Sequence, residues 1–315
     1  MNKRERLQAV LRKEAVDYVP SSYWFHFMDL SEVKAKAEAH LHFHQATDMD
    51  MMKVMYEFGY GTEQKITKPS DWEHITTQGR NAPEYRKQVE LIKRIQDGLQ
   101  EDCMIFTTMF GAFKMAQFMA GEEMLMQHLV EAPQSVLAGI RAIADMLADW
   151  ASGFCGLGID GIMYAAQYAE KTRFSRAFWE MTVKPCDEMV LNQIQKEKKY
   201  ILLHMCGMAQ YGKEVDLERF TGYPMDIASW AVYSSHLSLR EGRAMFSCAI
   251  LGGMDNYGSL IRDDSNAIRQ DVQNVIAEAG AEGLILGADC VILENPRADR
   301  VRTAVMAARE MKGGV

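Results

Sequence analysis

Nowhere in its 315 residues does the chain carry a Pro- or Ser-rich linker, and prolines number only seven. Without such a break, and with 48% hydrophobic residues, it is expected to form one large domain over residues 1–315 with a short N-terminal helical extension. No concentrated basic patch is present, and the net charge is −8 with a pI near 5.6. That excludes nucleic acid and anionic membrane surfaces as main partners, because both demand clustered positive charge. No apolar run reaches membrane length, no basic-then-apolar leader follows Met1, and cysteines number only six. These shortages predict a soluble, cytoplasmic protein whose thiols are core residues or ligands instead of a disulfide framework.

What the chain does have is methionine, 23 residues of it. Most reads as adaptable core filler, the alternative being a malleable apolar pocket for a flat ligand. Short apolar runs alternate with longer stretches of helical period. Strands are expected at residues 18–25, 52–57, 103–109, 159–165, 200–206, 225–230, 248–254 and 284–290. Helices are expected at 86–99, 133–150, 175–198, 237–245, 265–279 and 298–311. The alternation predicts an α/β fold, a (β/α)8 TIM barrel. A doubly wound sheet would need its glycine-rich turn after an early strand, whereas Gly156-Leu157-Gly158-Ile159-Asp160-Gly161 precedes one and reads as a helix-to-strand turn.

Two of the apolar runs end in chemistry. Residues 201–207 drive a strand into His204 and Cys206, and residues 284–290 end on Cys290. One imidazole and two thiolates are a favoured ligand set for catalytic zinc with a fourth position open, against the bland reading of buried packing. Barrel chemistry sits at the C-terminal ends of the strands, where His26, Gln167 and Asp255 also fall. These three are expected as catalytic groups, although Gln167 and Asp255 taken singly would equally cap helices or satisfy loop amides. Trp24, Phe110 and Trp230 are expected to wall a substrate pocket, the alternative for each being core. His40, His42 and His44 are expected at the surface of a helix end and not as a second metal site. Asp48 and Asp50 are expected to orient the chain before the second strand. Cys103, Cys155, Cys186 and Cys248 are expected as buried thiols.

Residues 6–20 (Arg-Leu-Gln-Ala-Val-Leu-Arg-Lys-Glu-Ala-Val-Asp-Tyr-Val-Pro), Gly158-Ile159-Asp160-Gly161-Ile162, Lys184-Pro185, His204-Met205-Cys206-Gly207, Gly252-Gly253-Met254-Asp255 and Gly287-Ala288-Asp289-Cys290 carry a resemblance over nearly the whole chain. Together they resemble the uroporphyrinogen decarboxylase superfamily, and especially its zinc-dependent methyltransferase branch, which serves corrinoid proteins in methyl transfer to coenzyme M or in O-demethylation. The resemblance implies Zn2+ held by His204, Cys206 and Cys290, and cobalamin carried by a partner corrinoid protein.

The decarboxylase itself is less similar. Its N-terminal Arg-Gln-Ala-Gly-Arg run corresponds here to Tyr23-Trp24-Phe25-His26-Phe27-Met28-Asp29-Leu30, which has no arginine. A tetrapyrrole rich in carboxylates needs several guanidinium partners, and aromatic side chains suit a smaller, flatter, less anionic substrate. The resemblance therefore implies a methyltransferase acting between the corrinoid and a small methyl donor, a methoxylated aromatic or related compound. A thiol (coenzyme M-type) methyltransferase, a metal-free decarboxylase and a noncatalytic corrinoid-docking barrel are the alternatives.

Overall fold

The structure is a computed structural model and describes residues 1–58, 65–207, 214–262, 264–292 and 297–311. Among the described residues seven strands follow in chain order: β1 (Met51–Val54), β2 (Met104–Phe110), β3 (Gly161–Ala166), β4 (Tyr200–Met205), β5 (Ile227–Trp230), β6 (Ala249–Met254) and β7 (Leu284–Ala288). Each pairs in parallel with its neighbour in sequence, so the sheet order is the chain order. Parallel strands covered on both faces have no solvent side, which is why they read as near-continuous apolar runs.

The helices are α1 (Lys3–Leu11), α2 (Val33–Thr47), α3 (Pro83–Gly98), α4 (Ala112–Ala120), α5 (Glu122–Glu131), α6 (Pro133–Cys155), α7 (Arg176–Lys196), α8 (Val232–Ser235), α9 (Leu239–Phe246), α10 (Ser265–Ala279) and α11 (Ala298–Glu310). Local chemistry marks their starts. Asn2 with Glu5 and Ser238 with Glu241 form reciprocal capping boxes on α1 and α9, and Pro83 and Pro133 open α3 and α6. Among the described residues no helix is long and apolar enough to cross a membrane.

This is the expected barrel with one correction. Residues 18–25 do not form a ladder strand; only Tyr18 and Ser21 are bridge residues, Ser21 pairing in parallel with Leu286. The segment still joins the two outer strands. Ser22 N–H donates to Leu286 O (2.9 Å), Leu286 N–H to Pro20 O (2.8 Å), and Asp50 N–H, just ahead of β1, to Ser21 O (3.0 Å). It fails as a strand because its donors are spent elsewhere: Pro20 has none, Ser21 N–H goes to the Asp50 carboxylate (3.0 Å) and Tyr23 N–H to Met49 Sδ (3.0 Å). Gly287 permits the approach, since a Cβ there would lie 2.7 Å from Ser22 O.

Two hydrophobic layers hold the barrel. The inner one stacks Met51, Phe106, Met163, Leu202, Leu251 and Ile285 beneath Trp24, and Leu7 and Val10 of α1 join it. Because α1 packs on residues that begin strands, it closes the N-terminal end, and Arg4 pins it there through Asp160 and Cys103 O. The outer layer lies between strands and helices, where α6 buries Val136, Ile140, Ile143, Leu147, Trp150 and Phe154 at helical spacing.

Candidate metal centre

Strand parity decides what faces the barrel interior. On β4, Leu202 lies in the inner layer and Leu203 in the outer one, so His204 points inward. Cys206 continues the β4 line, its N–H donating to Ala166 O at 3.0 Å. Cys290 follows β7 and is fixed by its neighbour Asp289, whose N–H donates to Met254 O (2.8 Å) and whose carboxylate accepts from Tyr233 N–H (3.0 Å).

The ligand atoms of His204, Cys206 and Cys290 all lie within 4.8 Å of one another, and they are the one such group of three among the described residues. The two Sγ atoms are 3.8 Å apart. The pair divides its proton unevenly: the hydrogen bond between the thiols holds Cys290 well below the ordinary thiol range and Cys206 well above it, with His204 also favouring the Cys290 thiolate. Ser229 Oγ sits 3.1 Å from His204 Nδ1, and Trp24 meets the imidazole edge-on at 5.6 Å and 84°. Nε2 is buried without a hydrogen-bond partner among the described residues.

A buried imidazole nitrogen with nothing to bond, aimed among two thiols, fits a tetrahedral soft-to-borderline cation, and Ser229 is the outer contact that orients such a ligand. A cavity of about 120 Å³ adjoins the cluster, bordered also by Asn256, Tyr257 and Asp289.

The remaining expected site residues divide. Gln167 lies beside Cys206 and opposes part of the rise in its thiol pKa, while its own Oε1 is buried without a partner among the described residues. Asp255 accepts Tyr257 N–H at 2.9 Å, which makes it a loop-holding residue beside the cavity. His26 and Phe110 belong to a second, larger cavity. Trp24 is only 3% exposed and supports His204 instead of walling open space. The expectation for Trp230 is corrected: it follows inward-facing Ser229, so it points outward against Phe246 and Gly242 of α9 and donates to Leu237 O (2.9 Å).

His40 and His44 are likewise not surface residues. The helix runs through them to Thr47, which buries both, and only His42 is exposed. Asp50 orients the chain before β1 as expected, accepting also from Arg6 and Tyr18. Cys103, Cys155 and Cys186 are buried, and Cys248 is partly so.

One residue escaped sequence reasoning. Lys53 of β1 is 5% exposed, its Nζ lies 3.6 Å over the Trp24 ring, and it has no hydrogen-bond partner among the described residues. Burial drives its pKa well down, against the pull of Cys290 and Cys206. Inside a methionine-rich run a lysine reads as the solvent side of a strand. Only its parity with Met51 and Met55, both inner-layer residues, would have placed it inside.

Comparison with known proteins adds the lineage. Among curated proteins none matches the chain. A methyltransferase from Methanosarcina mazei shares the fold with a TM-score of 0.77 at 16% identity, covering 98% of this chain and 99% of that one. A B12-independent methionine synthase from Shewanella sp. W3-18-1 gives 0.52 at 15% identity over 70% of this chain and 65% of its own. An endo-1,4-beta-mannanase from Rhizomucor miehei gives 0.54 at 8% identity over 93% and 94%. The family model for uroporphyrinogen decarboxylase (URO-D) matches residues 38–311, from α2 through α11, and by that span the chain belongs to the URO-D family.

Proposed function

We propose that the protein is a zinc-dependent methyltransferase that moves a methyl group between a small methyl compound, a methoxylated aromatic or a relative of it, and the cobalamin of a separate corrinoid protein. The observation that carries this reading is the convergence of His204, Cys206 and Cys290 at the C-terminal end of the barrel. Zinc held by these residues would supply a Lewis acid with one exchangeable position for a substrate heteroatom. The chain does the rest. Ser229 and Trp24 fix the imidazole plane, Gln167 stands beside Cys206, and Asp255 holds the loop that brings Tyr257 to the cavity rim.

The fold likeness to the Methanosarcina mazei methyltransferase supports methyl transfer, and the absence of arginine from residues 23–30 speaks against a tetrapyrrole with many carboxylates. Six free cysteines suit a reducing, cytoplasmic setting.

Elemental analysis is the first test. The protein is expected to bind about one zinc per chain, and the Cys206→Ser, Cys290→Ser double variant to lose it; equal zinc in both sinks the ligand assignment. With a reduced corrinoid protein and methoxybenzenes, zinc-loaded protein should change the corrinoid absorbance as the methyl arrives. Transfer only in the opposite sense, from methylated corrinoid to a thiol, would replace the donor reading. Release of carbon dioxide from uroporphyrinogen would replace both.

A further inference from the structure

Each of the three residues that converge on the metal centre has an outer partner. Ser229 meets His204 Nδ1 at 3.1 Å, the Gln167 side chain hydrogen-bonds Cys206, and the Val291 main-chain N–H donates to Cys290. A thiolate only accepts, so Gln167 turns its N–H to Cys206 and leaves Oε1 on the far side. That oxygen is buried without a partner among the described residues. An amide that served packing alone would not forfeit a buried acceptor, because an apolar side chain of the same length fills the space at less cost.

The backbone is strained where it aims this side chain. Tyr168, the next residue, is fully buried with a φ of +71°, a left-handed conformation that bulky side chains rarely adopt. It is held from outside the site: Arg173 stacks on its ring at 3.5 Å and pairs with Glu122, which also accepts from the Tyr168 hydroxyl at 3.0 Å. On the other side of Gln167, Ala166 O accepts from Cys206 N–H at 3.0 Å and keeps the two residues next to each other.

What the contact does follows from where the sulfurs sit. Cys206 and Cys290 both border the cavity of about 120 Å³ and both are partly exposed, so a methyl group that reaches the open position of the metal also meets two nucleophilic sulfurs. Access does not choose among the acceptors. A donated N–H does, because it draws charge from the lone pairs that would attack carbon.

We propose that Gln167 shields metal-bound Cys206 from methylation, as the Val291 N–H shields Cys290, so that the site does not alkylate its own ligands. The shield has a purpose only under the methyltransferase reading, on which it rests.

Methyl iodide, a donor that needs no corrinoid, tests it. In the unwanted step a sulfur lone pair of Cys206 forms the S–C bond, the C–I bond breaks and iodide leaves with its electron pair; the thioether left behind is a poor zinc ligand. Zinc-loaded wild type, Gln167→Met and Gln167→Leu are treated with limiting reagent, methylated cysteines are quantified by peptide mass spectrometry, and zinc release is followed with a chelating dye. Both variants should methylate Cys206 about tenfold faster and release zinc in step, while Cys290, whose donor is main chain, keeps its rate. An unchanged Cys206 rate in both variants, or an equal acceleration at Cys290, overturns the proposal. New labelling of buried Cys103, Cys155 or Cys186 in both variants would assign Gln167 to holding the fold and overturn it as well. Corrinoid methylation that fails while the Cys206 contrast stands sinks the methyl-transfer reading and leaves the shield. A lost contrast beside active methyl transfer does the reverse.

Discussion

Lys53 is a costly residue in the barrel interior. An amine buried without a hydrogen bond costs more than the aromatic face of Trp24 returns, because the desolvation of an ammonium far exceeds one cation–π contact. Lys53→Met, which keeps the stem and removes the amine, is expected to raise stability in urea unfolding at pH 7 by roughly 1–3 kcal/mol. The pH dependence has a definite sign. The folded pKa lies well below the ordinary 10.5, so above it the unfolded chain binds the extra proton, and the wild type gains on the variant as pH rises toward 10.5. A variant less stable than the wild type at neutral pH, or a difference that widens with alkalinity, would mean the amine has a stabilising partner.

At the scale of elements, closure of the sheet rests on a segment that is barely a strand. Three backbone hydrogen bonds around Ser21 connect β7 to the start of β1, and they require Gly287, where an added Cβ would also meet Leu251 Cδ2 at 2.8 Å. Both obstacles are inside the barrel wall, and one is backbone, so relief demands movement of the segment itself. Gly287→Ala is expected to cost about 1–3 kcal/mol. Gly156→Ala is the matched control: its φ is −64° and the nearest atom to an added Cβ is 3.4 Å away, so its effect should stay within about 0.5 kcal/mol. Equal midpoints for the two variants in urea would show that the segment yields freely. Gly253 is a different case, held to glycine by a φ of +105° as well as by Val275 at 2.5 Å.

Part of the whole molecule's response to pH is expected to pass through Asp187. This carboxyl sits on α7, buried, and accepts from Tyr164 of β3 (2.6 Å) and from Tyr223 ahead of β5 (3.3 Å), tying helix layer to sheet. Burial outweighs the two hydroxyls and raises its pKa to about 7, from 3.8. The folded state therefore binds the proton more tightly than the unfolded chain. Its stabilising contribution is complete below pH 3.8 and is lost as pH climbs through about 7. The loss amounts to roughly 4 kcal/mol at most. Asp187→Asn keeps one carbonyl acceptor, for Tyr164, offers its amide N–H to the Tyr223 hydroxyl and carries no charge, so its stability relative to the wild type should climb over that interval and level off above it. Parallel stability curves for the two proteins between pH 5 and 8 would remove Asp187 from the account.

Local patterns in the chain determined much of this protein. Apolar runs long enough for buried parallel strands, helical stretches between them and the His204-x-Cys206 and Cys290 endings are properties of neighbouring residues, and seven of the eight expected strands stand within a few residues of their places. Decisions that depend on register were not legible there. Ser229 pairs with His204 across the sheet, so Ser229 faces inward and Trp230 outward, although both lie at a strand end. The buried face of α2 takes in His40 and His44, because their surroundings come from other elements. Lys53 meets Trp24 from a separate segment, and the two thiols meet across 84 residues of chain. Composition and periodicity set which elements form, since those respond to the side chains next to them. Only closure of the barrel decides which side chains share its interior, because parity, shear and the bonds of residues 20–22 act between strands that the sequence keeps apart.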